Sequence, residues 1–294
     1  MALTAYLRSC KLALGAGLAV ALGLACGGAA SSAPAPVPRG AGTPTRIVSL
    51  NLCADQLVLA LADRGQIAGL TRYAADPAMS AAAGEAKGLP ILRGSAEEIM
   101  AIGPDLVIGM PARRSPAIAV LKARKYPALD IKSPDSYGAI QRSIREVAQA
   151  VGHPERGEAL IARMDRELAG LPRARRPVVA AYYQRRGYLT GTGTLIDDLM
   201  TRVGITNLAG KLGKPSLSQM SLEEMAASRP DFLIVDSATD KVVDQGTAMM
   251  HHPVLAGIPR IGIPQAWTVC GGPAYVKAAR AMAAGVGAER VNAR

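Results

Sequence analysis

The 294-residue sequence predicts an α/β protein of two similar lobes with mainly parallel sheets, joined by a long helical bridge. Three observations lead there. Short apolar runs alternate with helix-like periods, the pattern of βαβ units and parallel sheets. Residues 95–108, SAEEIMAIGPDLVI, return at 221–234 as SLEEMAASRPDFLI, with seven identical positions at a spacing of 126 residues. A unit reused at that distance signals two lobes rather than a short-period solenoid. The longest helical stretch lies between the two copies, where a bridge belongs.

Each copy has the same local logic. Ser95 and Ser221 are placed to cap a helix, with Glu98 and Glu224 three residues on completing a capping box. Pro104 and Pro230 turn the residue before them away from helix, so each helix ends there. The apolar runs at 106–108 and 232–234 then read as buried strands.

The amino terminus stands apart from the fold. Arg8 and Lys11 precede an apolar stretch at 12–25 and then small residues, as in a signal peptide. The stretch is short for a membrane span. Cleavage after Ala30 or Ala33 would release a soluble protein, the preferred reading; the alternative is lipidation of Cys26 within Leu24-Ala25-Cys26-Gly27. Residues 27–45 have the Ala, Gly, Ser and Pro content of a linker. The expected organisation is therefore signal and linker at 1–45, a first lobe at 46–134, bridging helices at 135–171 and a second lobe at 172–294.

In the first lobe, strands are expected at 46–50, 67–71, 105–110 and 128–132, with a loop carrying Tyr73, Asp76 and Pro77 and then Leu89 to Arg93 after the second, and helices at 54–62 and 115–124 besides the repeat. In the bridge, Ile140, Ile144, Val147, Ala148 and Val151 share one helical face. Gly152-His153-Pro154 breaks that helix, and a second runs from 155 to 171. The second lobe opens with a strand at 177–183 and a glycine-rich turn (Gly187, Gly191, Gly193) into a helix at 194–203. The second repeat copy, a strand at 258–263, a loop at 264–273 and a helix at 274–284 complete it.

Composition narrows the function. The formal charge of +11 falls to +9 without residues 1–33, which hold Arg8 and Lys11 and no acid. The remaining cations are dispersed, with no polybasic run and few aromatics between them, which argues against nucleic acid. An anionic small ligand stays open. Beyond the signal the cysteines are Cys53 and Cys270; export permits a disulfide, and two separate thiols are the other reading.

No catalytic arrangement emerges. The chain has no Gly-x-Ser-x-Gly elbow, and His153, His251 and His252 are not spaced as metal ligands. Gly191-Thr192-Gly193-Thr194 resembles a phosphate-cradling turn but lacks the rest of either phosphate fingerprint, so a plain strand-to-helix loop is favoured. What remains is a set of residues at the carboxyl ends of strands, where open parallel sheets bind ligands. The set comprises Asn51 and Cys53, Arg72 and Tyr73, Arg93, Met110 with Arg113, then Tyr183, Gln184 and Arg185, and Trp267.

Taken together, Arg46-Ile-Val-Ser-Leu-Asn51, the duplicated Ser-x-Glu-Glu unit, Leu189-Thr-Gly-Thr-Gly-Thr-Leu-Ile196 and the late Trp267 loop resemble the substrate-binding proteins of ABC importers for cobalamin and ferric siderophores. The resemblance spans residues 46–285. It implies two Rossmann-like lobes on a rigid helical bridge with the ligand cleft between them, and no catalysis. The implied ligand is a metal chelate, a cobalt corrinoid or an Fe(III)-siderophore, carried by a monomeric periplasmic protein to an ABC permease dimer in the inner membrane. In that family one exposed glutamate per lobe docks on the permease, and the matching positions are Glu97 and Glu223. Arg72, Arg93 and Arg185 would suit an anionic siderophore, whereas Tyr73, Tyr183 and Trp267 are the aromatics available to a corrinoid. Cys53 would either pair with Cys270 across the cleft mouth or touch the chelate. The readings from other classes are a secreted enzyme with an interlobe active site and a ligand-sensing subunit of a membrane receptor.

Overall fold

The computed structural model describes residues 42–109, 126–174 and 176–292, with side chains described as far as residue 287. The expected signal segment with Cys26, Met110, Arg113 and the helix expected at 115–124 lie outside the described residues.

The first sheet contains β1 (Ile47–Ser49), β2 (Ile67–Thr71), β3 (Ile91–Leu92), β4 (Leu106–Gly109) and β5 (Ala128–Asp130). All neighbours are parallel, in the order β3-β2-β1-β4-β5. The second sheet contains β6 (Val178–Tyr182), β8 (Ile205–Asn207), β10 (Phe232–Asp236) and β11 (Arg260–Ile263), also parallel, in the order β11-β10-β6-β8. An antiparallel pair, β7 (Tyr188–Thr190) with β9 (Leu217–Gln219), stands beside it. The helices are α1 (Leu52–Leu61), α2 (Ala96–Ile102), α3 (Tyr137–Ala150), α4 (Pro154–Ala169), α5 (Leu195–Arg202), α6 (Leu208–Lys211), α7 (Leu222–Ser228), α8 (Gln265–Thr268) and α9 (Tyr275–Asn292).

The two repeat copies fold alike. Ser95 and Ser221 cap α2 and α7, accepting from the backbone N–H of Glu98 and Glu224. The reciprocal half of the expected capping box is not made. Glu98 Oε2 instead accepts the N–H groups of Arg93 and Gly94 at 2.8 and 3.1 Å, and Glu224 pairs with Lys214 Nζ at 2.6 Å. Both helices end in the left-handed region, at Gly103 (φ 61°) and Arg229 (φ 43°). Glycine enters that region without steric cost, whereas arginine does not. The aspartates that follow do one job twice. Asp105 accepts the N–H of Arg46 beside β1 at 2.8 Å, and Asp231 accepts the N–H of Val179 within β6 at 2.8 Å. Each therefore locks its own strand, β4 or β10, against the strand that opens its lobe. One face of β4 and of β10 is then covered by the repeat helix: Ile99 packs with Val107, and Met225 with Leu233 and Val235.

The opposite faces of the two sheets share one core. Ile47, Leu57 and Ile108 from the first lobe, Ile140, Ile144 and Met164 from the bridge, and Val178, Ile234 and Ile263 from the second belong to a single hydrophobic cluster. The bridge is a hairpin of α3 and α4, turned at Gly152 (φ 87°). Its antiparallel register shows in Arg145 with Glu158 at 2.7 Å and Gln141 with Asp165 at 3.2 Å. Tyr137 opens α3 against the second lobe: its N–H reaches Asp198, its hydroxyl donates to Asp165 at 2.7 Å, and Arg202 stacks 4.6 Å over its ring. Moving one lobe against the other would shear a dense core, which resists small deformations.

Candidate functional site

In doubly wound sheets a ligand crevice opens at the carboxyl ends of the strands where the strand order reverses. In the second sheet that point lies between β6 and β10, because the chain passes from β6 to β8 on one side and to β10 on the other. A cavity of about 500 Å³ sits there. Its walls come from the ends of β6 (Tyr182 to Arg185) and β10 (Asp236, Thr239) and from the segment after β11 (Gln265, Thr268, Val269). The β7–β9 pair adds Tyr188, Thr190 and Leu217. Tyr188 and Leu217 are 37% and 57% exposed, so the mouth offers bare apolar surface. An exposed apolar patch with a polar rim is the ordinary sign of a binding surface.

The polar groups are mostly neutral or already matched. Arg185 Nη2 is bound to Asp244 at 2.8 Å. Asp236 accepts the backbone N–H groups of Thr239 and Gln265 at 2.8 and 2.9 Å. Gln184 donates to Thr190 Oγ1 at 2.6 Å. Burial raises the Tyr182 phenol above its ordinary range while Thr268 hydrogen-bonds it, so it stays a neutral hydroxyl. The lining therefore presents amides, hydroxyls and aromatic edges around one hydrogen-bonded carboxylate, with no unmatched cation.

One edge of this cavity is covalently fixed. Cys53, in the first turn of α1, forms a disulfide with Cys270 across 217 residues, with the Cα atoms 5.2 Å apart. Val269, which lines the cavity, is the residue before Cys270. Gly271, just after it, lies so close to Pro134 at the entry to the bridge that a Cβ would come within 2.0 Å of the proline ring. The cross-link therefore ties α1 of the first lobe to the segment that borders this cavity, close to the entry to the bridge.

The periplasmic binding protein family matches this chain over residues 47–260. The chain belongs to that family. Two curated cobalamin-binding proteins of Halobacterium salinarum strains are 23% identical to it over 215 residues, covering 70% of this chain and 58% of theirs. The chain thus matches less than two thirds of those relatives' length. Among solved structures, the apo periplasmic heme-binding protein RhuT from Roseiflexus sp. RS-1 is 28% identical with a TM-score of 0.65, covering 82% of this chain and 97% of that one. The periplasmic heme-binding protein HutB of Vibrio cholerae shares the fold at 21% identity and a TM-score of 0.68, over 82% and 98% of the two chains. So does the periplasmic vitamin B12 binding protein BtuF of Vibrio cholerae, at 16% and 0.60, over 84% and 98%. These relatives are named as binding proteins, not as enzymes.

Within this binding protein the residues expected from sequence fall into three groups. Gln184 and Arg185 line the cavity, and Cys53 borders it through the disulfide rather than as a free thiol. Tyr183 also lines the cavity, from a fully buried position in which it donates to the Met220 carbonyl at 3.3 Å and burial pushes its phenol up to about 12. Trp267 is partly buried, packs against the shared core and is not among the lining residues of this cavity. Asn51 is committed as the cap of α1, accepting from the Ala54 N–H at 3.0 Å. Arg72 and Tyr73 stack on each other 4.8 Å apart at the exposed end of β2, and Arg93 is exposed after β3; neither site borders the cavity. The Gly191 turn is structural: Gly191 donates to the Ser216 carbonyl, and Thr194 caps α5.

Residues missed include Tyr182, Tyr188, Leu217, Asp236, Gln265 and Thr268. Applying the strand-end rule to β10 and β11 as strictly as to β6 would have found Asp236, Gln265 and Thr268. Tyr188 and Leu217 carried no such signal. Glu97 and Glu223 are both exposed, one in the first turn of each repeat helix. Each carboxyl is held below its ordinary range, first by its own backbone N–H and then by the cap serine, so both carry full charge at neutral pH.

Proposed function

We propose that this periplasmic binding protein captures a bulky metal chelate, a corrinoid in preference to an anionic ferric siderophore, and delivers it to an ABC permease dimer in the inner membrane. The observation that carries the choice is the charge balance of the cavity. Its one lining arginine, Arg185, is neutralised by Asp244, and its one lining acid, Asp236, is spent on backbone N–H groups. A site built to hold a trianionic iron complex would present unmatched cations, since burying a charge without a partner is costly. Amide and hydroxyl groups around an apolar mouth suit instead the amide-fringed rim of a corrinoid. The cobalamin-binding relatives support the same ligand class.

Release into the periplasm and a monomeric state belong to this reading, as does docking through Glu97 and Glu223. Calorimetric titration of the mature protein with cobalamin, hemin and a panel of ferric siderophores tests it. Cobalamin is expected to bind tightest, at micromolar affinity or better. Preference for a siderophore, or no binding by any of these, overturns it.

A further inference from the structure

The charge balance of the ligand cavity depends on a residue that does not line it. Arg185 is the lining cation, and Asp244, which is not among the lining residues, holds its Nη2 at 2.8 Å. Both side chains keep access to water, at 46% and 42% exposed. An ion pair so exposed adds little to stability. Its surroundings are nevertheless fitted to it on both sides.

On one side the Arg185 guanidinium lies against Gly246, where a Cβ would come within 3.0 Å of Nη2, Cζ and Nε. The Gly246 carbonyl accepts the N–H of Arg186 at 2.7 Å, which pins this loop to the end of β6. Arg186 itself occupies the left-handed region (φ 59°), a conformation costly for a residue with a Cβ and frequent at ligand sites. On the other side Asp244 is held in a closed turn. Its Oδ1 accepts the N–H of Thr247 and its own N–H donates to Thr247 Oγ1, both at 2.9 Å. Thr247 is fully buried and donates its hydroxyl to the Val242 carbonyl at 2.7 Å. One carboxylate oxygen thus holds the turn while the other holds the arginine. The bond from Arg185 keeps the Asp244 carboxyl below its ordinary range, so it is charged at neutral pH.

We propose that Asp244 is a positioning residue that sets the charge selectivity of the cavity: by occupying Arg185 it admits neutral ligands and turns away anionic ones, and without its charge the same walls would take an anion. Withholding a cation from the wrong guest is as good a route to specificity as adding contacts to the right one. The proposal rests on the reading above for where ligand binds, and is independent of which chelate is carried.

Two dyes with one aromatic body separate charge from shape. 8-Anilino-1-naphthalenesulfonate carries a negative charge, and N-phenyl-1-naphthylamine lacks it. In fluorescence titrations Asp244→Asn, whose side-chain oxygen can still accept from Thr247, should tighten the sulfonate about fivefold or more and leave the neutral dye within about twofold. Asp244→Glu, which keeps the charge, should restore the parent's preference. Adding Arg185→Gln to Asp244→Asn should cancel the gain, and Tyr188→Ala should weaken both dyes, since Tyr188 walls this cavity. The proposal is overturned if Asp244→Asn leaves the preference unchanged, if the gain survives Arg185→Gln, or if neither dye senses Tyr188→Ala. A protein with the expected dye preferences that fails to bind cobalamin would keep this selectivity and lose only the corrinoid reading.

Discussion

Cys53 and Cys270 stand 217 residues apart in sequence and 5.2 Å apart between Cα atoms, joining the first helix of one lobe to the last strand-end segment of the other. A bond closing so long a loop removes much of the unfolded chain's freedom, about 2–5 kcal/mol for typical native disulfides. Replacing both residues by serine is expected to cost that much in guanidinium unfolding. A dithiol reductant should lower the parent's stability toward that of the variant and leave the variant unchanged. Equal stability of parent and variant would show that the cross-link contributes nothing.

The apolar mouth and the partly buried Trp267 make opposite forecasts for binding. Tyr188→Ala removes an exposed wall of the cavity and should weaken the chelate at least tenfold, since aromatic anchors carry much of a site's affinity. Trp267→Phe changes a residue packed on the core and should leave affinity within about threefold while lowering stability. Titrations of both variants decide between this placement and the one read from sequence.

Asp55 is fully buried in α1, where Thr71 donates its N–H and its hydroxyl to the carboxylate at 3.1 and 2.5 Å. Desolvation outweighs those bonds and raises its pKa from 3.8 to about 6. Because the folded state holds this proton more tightly than the unfolded state, the contribution to stability is full below about pH 3.8 and is lost as pH rises through 6. The shift corresponds to about 3 kcal/mol. Asp55→Asn should flatten the stability profile between pH 4 and 7; an unchanged slope would assign it to other groups.

Glu97 and Glu223 are fully exposed, so reversing their charge should scarcely disturb the fold. Glu97→Lys with Glu223→Lys is expected to cut chelate uptake in permease-bearing cells at least tenfold at unchanged ligand affinity. Loss of affinity would place the glutamates outside a docking role.

Arg229 occupies the left-handed position that Gly103 fills in the first copy. Glycine avoids the clash between Cβ and the carbonyl oxygen, so Arg229→Gly should stabilise the protein by about 1 kcal/mol. Urea unfolding measures this, and a destabilisation would mean that the arginine side chain outweighs its backbone strain.

The chain's local chemistry already determined the lobe architecture, because it is written at short range. Ser95 and Ser221 cap, Pro104 and Pro230 terminate, and the alternating faces of β4 and β10 bury two ways; each needs only near neighbours in sequence. The resemblance drawn from those same motifs named the family correctly. Local pattern did not decide which strand-end side chain faces the ligand. Tyr182 and Tyr183 both line the cavity, but Tyr183 is fully buried with its hydroxyl on the Met220 carbonyl, 37 residues on. Tyr188 and Leu217 reach the cavity only because β7 and β9 come together across the long connection at 191–216. Arg185 reads as a free cation until Asp244, 59 residues on, neutralises it. Even the disulfide, permitted by two cysteines and an oxidising compartment, required the packing of α1 against the segment after β11. Sequence determined which elements form; tertiary contact decided which of their atoms remain free to bind.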